Sequence, residues 1–160
     1  MEITRWIVEH CDQTYRRGNW AGNGVLPSLE GVTAEEASWR PNPEQHTIAE
    51  IVRHMAYWKD AVTARLAGRP WTYSEEMDWR PVAPTAQGWE EARKELEDAH
   101  GRLLEELSAL REERLPEILG KAWWLEGGQA RVIDFAIGIA HHDQYHAAQI
   151  YVLRRQYKHR

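Results

Sequence analysis

Residues 131–157, RVIDFAIGIAHHDQYHAAQIYVLRRQY, decide the fold. Apolar residues recur through them at steps of three and four, the spacing that gathers side chains on helix faces. Val132, Phe135, Ile139 and Leu153 mark one side, and Ile133, Ile137, Ala148 and Tyr151 another. A helix apolar on more than one side is covered more than once. Its own bundle covers one side, and a second copy of the chain is expected on the other, so the sequence predicts a homodimer.

Three further helices are expected upstream. The first runs from about Glu2 to Arg17, with Trp6, Ile7, His10 and Tyr15 near helical spacing, until Gly18, Gly22 and Gly24 break it. The second starts at Thr47, which forms a capping box with Glu50: each side chain can satisfy the other's free amide. Ile48, Ile51, Val52, Met55, Trp58, Val62 and Leu66 trace its core face, and Gly68 and Pro70 end it. The third, about Ala86 to Leu110, carries the cleanest stripe: Trp89, Ala92, Leu96, Ala99, Leu103, Leu107 and Leu110. Between the first two, Val25–Leu29 is a short apolar stretch and Thr33–Glu36 a capped turn. Residues 69–84, and a stretch holding Trp123, Trp124, Gly127 and Gly128, read as loops.

Four long helices without a strand pattern predict an all-α four-helix bundle, one domain over 1–160. The long connections predict a topology other than up-down-up-down, with loops roofing one end. The formal net charge of -5 argues against a nucleic-acid binder. No stretch approaches the roughly 18 apolar residues of a membrane span. The single cysteine, Cys11, rules out a disulfide within the chain. With no apolar signal core at Met1–Glu9, a soluble cytoplasmic protein is expected. Cys11 itself reads as a small buried hydrophobe rather than a nucleophile.

Within the deciding stretch, His142 and His146 are four residues apart and share a helix face. That face also carries Phe135, Ile139 and Leu153, so it points inward. Gly138, one turn before His142, leaves room for another helix or a ligand. Two inward imidazoles need partners for their ring nitrogens, and a metal ion supplies them. A third ligand is available from the second helix at His54 or the first at His10. Three neutral nitrogen ligands suit zinc, nickel or ferrous iron and leave a position open to substrate. Asp143 stands where a zincin would carry its catalytic glutamate, but with a shorter reach. It reads as a group that orients a ligand from behind, as a cap on a neighbour or as a solvated helix residue. Gln149, one turn after His146, is either a hydrogen-bonding group of the site or a structural amide. Trp58, Tyr145 and loop aromatics such as Trp71, Trp79, Trp123 or Trp124 are candidates for a pocket, which would give the 9 tryptophans a purpose. His141, rotated off the ligand face, is read as a surface or interface residue. His46 belongs to the end of a loop, and His100 and His159 look peripheral.

Helix two, from His46 through His54 to Trp58, resembles the first metal-ligand helix of the DinB-like superfamily. His142-Asp143-Gln144-Tyr145-His146-Ala147-Ala148-Gln149-Ile150 resembles its second motif, His-Asp-x-Tyr-His-x-x-Gln-Ile, and Thr33–Pro41 its link between the first two helices. The resemblance implies a four-helix bundle, often homodimeric, holding a nickel or zinc ion on His54, His142 and His146, which prefers His54 to His10. It also implies metal-dependent hydrolases, thiol S-transferases using a low-molecular-weight thiol, or damage-inducible proteins without known activity. Where many relatives have Gly, this chain has Ala148. Two functions compete: an enzyme acting on a small-molecule substrate, and a non-catalytic metal-binding protein that responds to stress or binds a partner. An exchangeable ligand position beside a pocket marks the first; a fourth protein ligand marks the second. If no ion binds, the histidines are polar groups of the core.

Overall fold

All four periodic segments fold as helices, within two residues of the expected ends. The computed structural model describes residues 2–121 and 128–160, so the expected loop aromatics Trp123 and Trp124, with Gly127, lie outside the described residues. In chain order come α1 (Ile3–Arg16), β1 (Gly18–Asn19), β2 (Gly22–Asn23), α2 (Val25–Leu29), α3 (Ala34–Ser38), α4 (Ile48–Leu66), α5 (Glu75–Asp78) and α6 (Ala86–Ala109). A 3-10 turn (Glu112–Arg114), β3 (Ile118–Lys121), β4 (Gln129–Arg131) and α7 (Val132–Lys158) complete it. β1–β2 and β3–β4 are small antiparallel hairpins that leave the fold all-α.

The local signals act as the residues dictate. Thr47 Oγ1 accepts the Glu50 amide at 3.1 Å, and Glu50 Oε2 accepts the Thr47 amide at 2.8 Å, so the capping box closes at the start of α4. Thr33 caps α3 and Thr85 caps α6 in the same way. Gly18 turns the chain out of α1 with φ +98, where an added Cβ would strike the backbone of Gly22.

The connection from Leu66 to Ala86 decides the topology. Arg53 meets Glu95, and Arg102 clamps Asp60 through two bonds of 2.9 and 3.0 Å, so positions rise together along α4 and α6. These two helices are therefore parallel, which a long crossover allows and a tight turn does not. Both ends of α7 and α1 pack the opposite way: Ile139 sits with Val62 and Leu103, and Ile150 with Ile51 and Leu96. The bundle is up-down-down-up, as the long connections implied.

Two apolar clusters fill it. One joins Tyr15, Ile51, Met55, Leu96 and Ile150, the other Ile7, Cys11, Leu66, Leu103 and Ile139. A polar layer lies between them. Lys59 and Asp143 are 0% and 1% exposed and meet at 2.5 Å. His100 is fully buried, stacks on Tyr15 at 3.9 Å and meets Asp12 at 3.2 Å. His100 is thus a core residue and not a peripheral one. Trp6 is exposed and His10 only partly buried, because the inward stripe of α1 is Thr4, Ile7, Cys11, Thr14 and Tyr15.

Candidate metal centre

His54 projects from α4, and His142 and His146 from successive turns of α7, on the side of the polar layer away from α1 and α6. Their Nε2 atoms converge. His142 Nε2 is 3.1 Å from His54 Nε2 and 3.1 Å from His146 Nε2. One ligand atom from each lies within 4.8 Å of the others, a group able to hold a metal ion. His10 is not part of it; it stacks on Trp6 at 5.0 Å.

The outer nitrogens fix the rings. His146 Nδ1 is 2.7 Å from Gln149 Oε1, and Gln149 Nε2 donates to Tyr145 Oη at 2.9 Å. Since the amide nitrogen is committed to Tyr145, its oxygen faces His146 and the ring proton sits on Nδ1. His54 Nδ1 is 2.7 Å from Asp78 Oδ1, off the best line for a ring N–H. Asp78 is itself held by the Trp58 indole N–H at 2.9 Å and the Tyr73 hydroxyl at 3.1 Å. A carboxylate there favours the proton on Nδ1 of His54.

Burial keeps the cluster uncharged. It lowers His142 to about 2, helped by its histidine neighbours, and His146 to about 4, helped by His54. Burial also lowers His54, against the pull of Asp78. At neutral pH two Nε2 lone pairs therefore face His142 Nε2, which has at most one proton to give. One lone pair is left facing another nitrogen inside the protein, an arrangement that costs free energy. A divalent cation satisfies all three, so the residues present fit one.

Asp78 was not legible as a site residue. It arrives from α5, in a connection that the spacing gave as loop. Ser74 caps that turn by accepting from Met77, and its own amide donates to Tyr57 Oη at 2.8 Å. Trp79 follows and stacks between His54 at 3.8 Å and His46 at 3.6 Å. The aromatic surplus of the sequence is thus partly spent around His54. Asp143 is neither solvated nor paired with a histidine. It is buried and holds Lys59.

On the open side of the three histidines lies a cavity of about 820 Å³. Trp58, Val62, Phe135, Ile139 and Tyr145 line it, and His141 stands exposed at its edge. Gly138 also lines it.

The DinB superfamily model matches residues 19–150. This chain belongs to the DinB superfamily. The match contains His54, His142 and His146, while α1 with His10 lies before it. The chain is also similar to the crystal structure of a conserved protein from Enterococcus faecalis. The TM-score is 0.72 at 17% identity, over 97% of this chain and 96% of that one, which shows a shared fold. No curated protein matches the chain. Among the described residues, no helix is long and apolar enough to cross a membrane.

Proposed function

We propose that this DinB protein is a divalent-metal-dependent enzyme that transfers a thiolate or water to an electrophilic small molecule. The observation that carries the reading is the three neutral Nε2 atoms converging at one end of an 820 Å³ cavity. His54, His142 and His146 would hold the ion, with zinc, nickel or iron suited to the donor set. A bound ion supplies Lewis acidity and lowers the pKa of a thiol or water at its free position. The protein's part is orientation and exclusion of bulk water. Asp78 and Gln149 set the ring tautomers, and Trp58 with the apolar wall shields the reacting end. Tyr145, its oxygen already accepting from Gln149, keeps its own hydroxyl proton free to meet substrate.

The test is a matrix of low-molecular-weight thiols against 1-chloro-2,4-dinitrobenzene, and of activated esters without thiol, using protein loaded with zinc or nickel. Turnover that disappears in His142→Ala supports the reading. Metal bound at full occupancy without turnover of either class contradicts it and leaves the non-catalytic role.

We also propose that the chain pairs with itself through α7, where Tyr151 and Val152 are 52% and 54% exposed. Light scattering gives twice the chain mass if this holds and the single chain mass if it does not.

A further inference from the structure

Gly138 stands at the end of the second turn of α7, one turn before His142. Glycine inside a helix weakens it relative to alanine, because the unfolded chain has more freedom to lose. Two structural needs commonly justify it. One is a positive φ, and Gly138 has none, unlike Gly18, Gly31, Gly68 and Gly120. The other is a close neighbour, as at Gly88, where an added Cβ would strike the Ala83 carbonyl. Among the described residues, an added Cβ at Gly138 would meet no heavy atom within 4 Å. No described helix approaches it. What the missing side chain leaves is space, and that space belongs to the cavity over the three histidines.

The walls say what the space suits. Trp58, Val62, Phe135 and Ile139 give it aromatic and branched aliphatic walls. Among the described lining residues the one acid is Asp134, whose carboxylate already accepts the Arg131 amide at 2.7 Å, and none is a lysine or arginine. Apart from the ion at the histidine end, and with the Arg65 guanidinium engaged over the Phe135 ring at 5.1 Å, a carboxylate, sulfonate or phosphate on the ligand body would meet one acid and no basic lining side chain but histidine. The volume is that of pockets for drug-sized ligands.

Building on the enzyme reading above, we propose that the substrate is an uncharged, ring-bearing small molecule whose apolar body lies on the bare backbone at Gly138. Gly138 is then the residue that sets how large that body can be.

The experiment reads binding, not turnover. N-phenyl-1-naphthylamine brightens in apolar surroundings, and 1-anilinonaphthalene-8-sulfonate is the same ring system bearing a negative charge. Each is titrated into the protein as purified and after zinc is added, with zinc content and helicity measured on the same samples. The uncharged probe is expected to bind wild type and to bind Gly138→Leu about tenfold more weakly or worse, with zinc and helicity unchanged. The sulfonate is expected to bind metal-free wild type more weakly than the uncharged probe. Val62→Phe, which narrows the same cavity from α4, should repeat the loss, so the result does not hang on one helix. Gly138→Ala is the folding control and should melt higher than wild type.

Equal affinity of wild type, Gly138→Leu and Val62→Phe for the uncharged probe overturns the proposal, as does no binding at all. A sulfonate that binds metal-free wild type as tightly as the uncharged probe overturns the charge class. These failures are separate from failure of the metal reading, which shows as wild type that takes up no zinc, whatever the probe does.

Discussion

Lys59→Met breaks the pair at the centre of the polar layer. Lys59 and Asp143 are 0% and 1% exposed, 2.5 Å apart, with the ammonium also 5.1 Å from the centre of the Tyr15 ring. Asp143 Oδ1 has no hydrogen-bond partner among the described residues, so the carboxylate depends on Lys59. Burial pushes the Asp143 carboxyl up and Lys59 pulls it down. Methionine keeps most of the lysine stem but leaves the acid alone in the core. Removing one partner of a buried pair costs about 3–5 kcal/mol. At about 3 °C per kcal/mol for a chain of this size, the melting temperature should fall by roughly 9–15 °C. The double variant Lys59→Met, Asp143→Leu removes both charges and should recover most of that loss, since apolar replacement of a whole pair is often neutral or better. Thermal and urea unfolding of metal-free protein measure this without binding linkage. A single-variant loss below about 1 kcal/mol would refute the reasoning, as would a double variant as unstable as the two singles summed. The pair also bears on the site. Lys59 lies beyond His54 on α4 and Asp143 next to His142 on α7, so it pins the two helices at the level where the ligands meet.

Asp78→Asn removes the carboxylate behind His54 and should weaken metal binding about 10–100-fold, measured by competition with a chromophoric chelator; unchanged affinity would show that Asp78 does not act through the ring. His100 is lowered from 6.5 to about 4, chiefly by burial and then by Lys59. Below 6.5 the unfolded chain takes a proton that native His100 refuses, so its contribution is intact above 6.5 and lost as pH falls toward 4. The ceiling is about 3 kcal/mol. His142 and His146 slope the same way in metal-free protein, so the check is a shallower acid limb in His100→Gln than in wild type. Burial pushes the Cys11 thiol up to about 12, and it donates to the Ala136 carbonyl at 3.4 Å. A disulfide reagent at pH 8 should therefore leave it untouched until urea unfolds the chain; rapid native labelling contradicts this.

What was legible in the sequence was periodic or short-range. Thr47 and Glu50 announce the start of α4, and the stripe from Trp89 to Leu110 is buried along its whole length. The histidine pair on α7 could be read because four residues make one turn. The polar layer also leaves a signal in the sequence. Lys59 falls between Met55 and Val62, His100 between Leu96 and Leu103, and Asp143 between Ile139 and Ala147, all on inward stripes. A lysine and an aspartate on the inward faces of two helices are a candidate pair. Asp78 offered no such clue, because it reaches His54 through tertiary folding of a connection with no period. The strands of two residues at Gly18–Asn19 and Gly22–Asn23 are too short to show alternation.

The central claim is that His54, His142 and His146 hold one divalent ion. Elemental analysis of protein purified without a metal-binding tag tests it most directly, on wild type and on His54→Ala and His142→Ala. The account predicts close to one zinc, nickel or iron per wild-type chain and loss of it in both variants, with helicity kept. Wild type that carries no metal and takes up neither added zinc nor added nickel would contradict it.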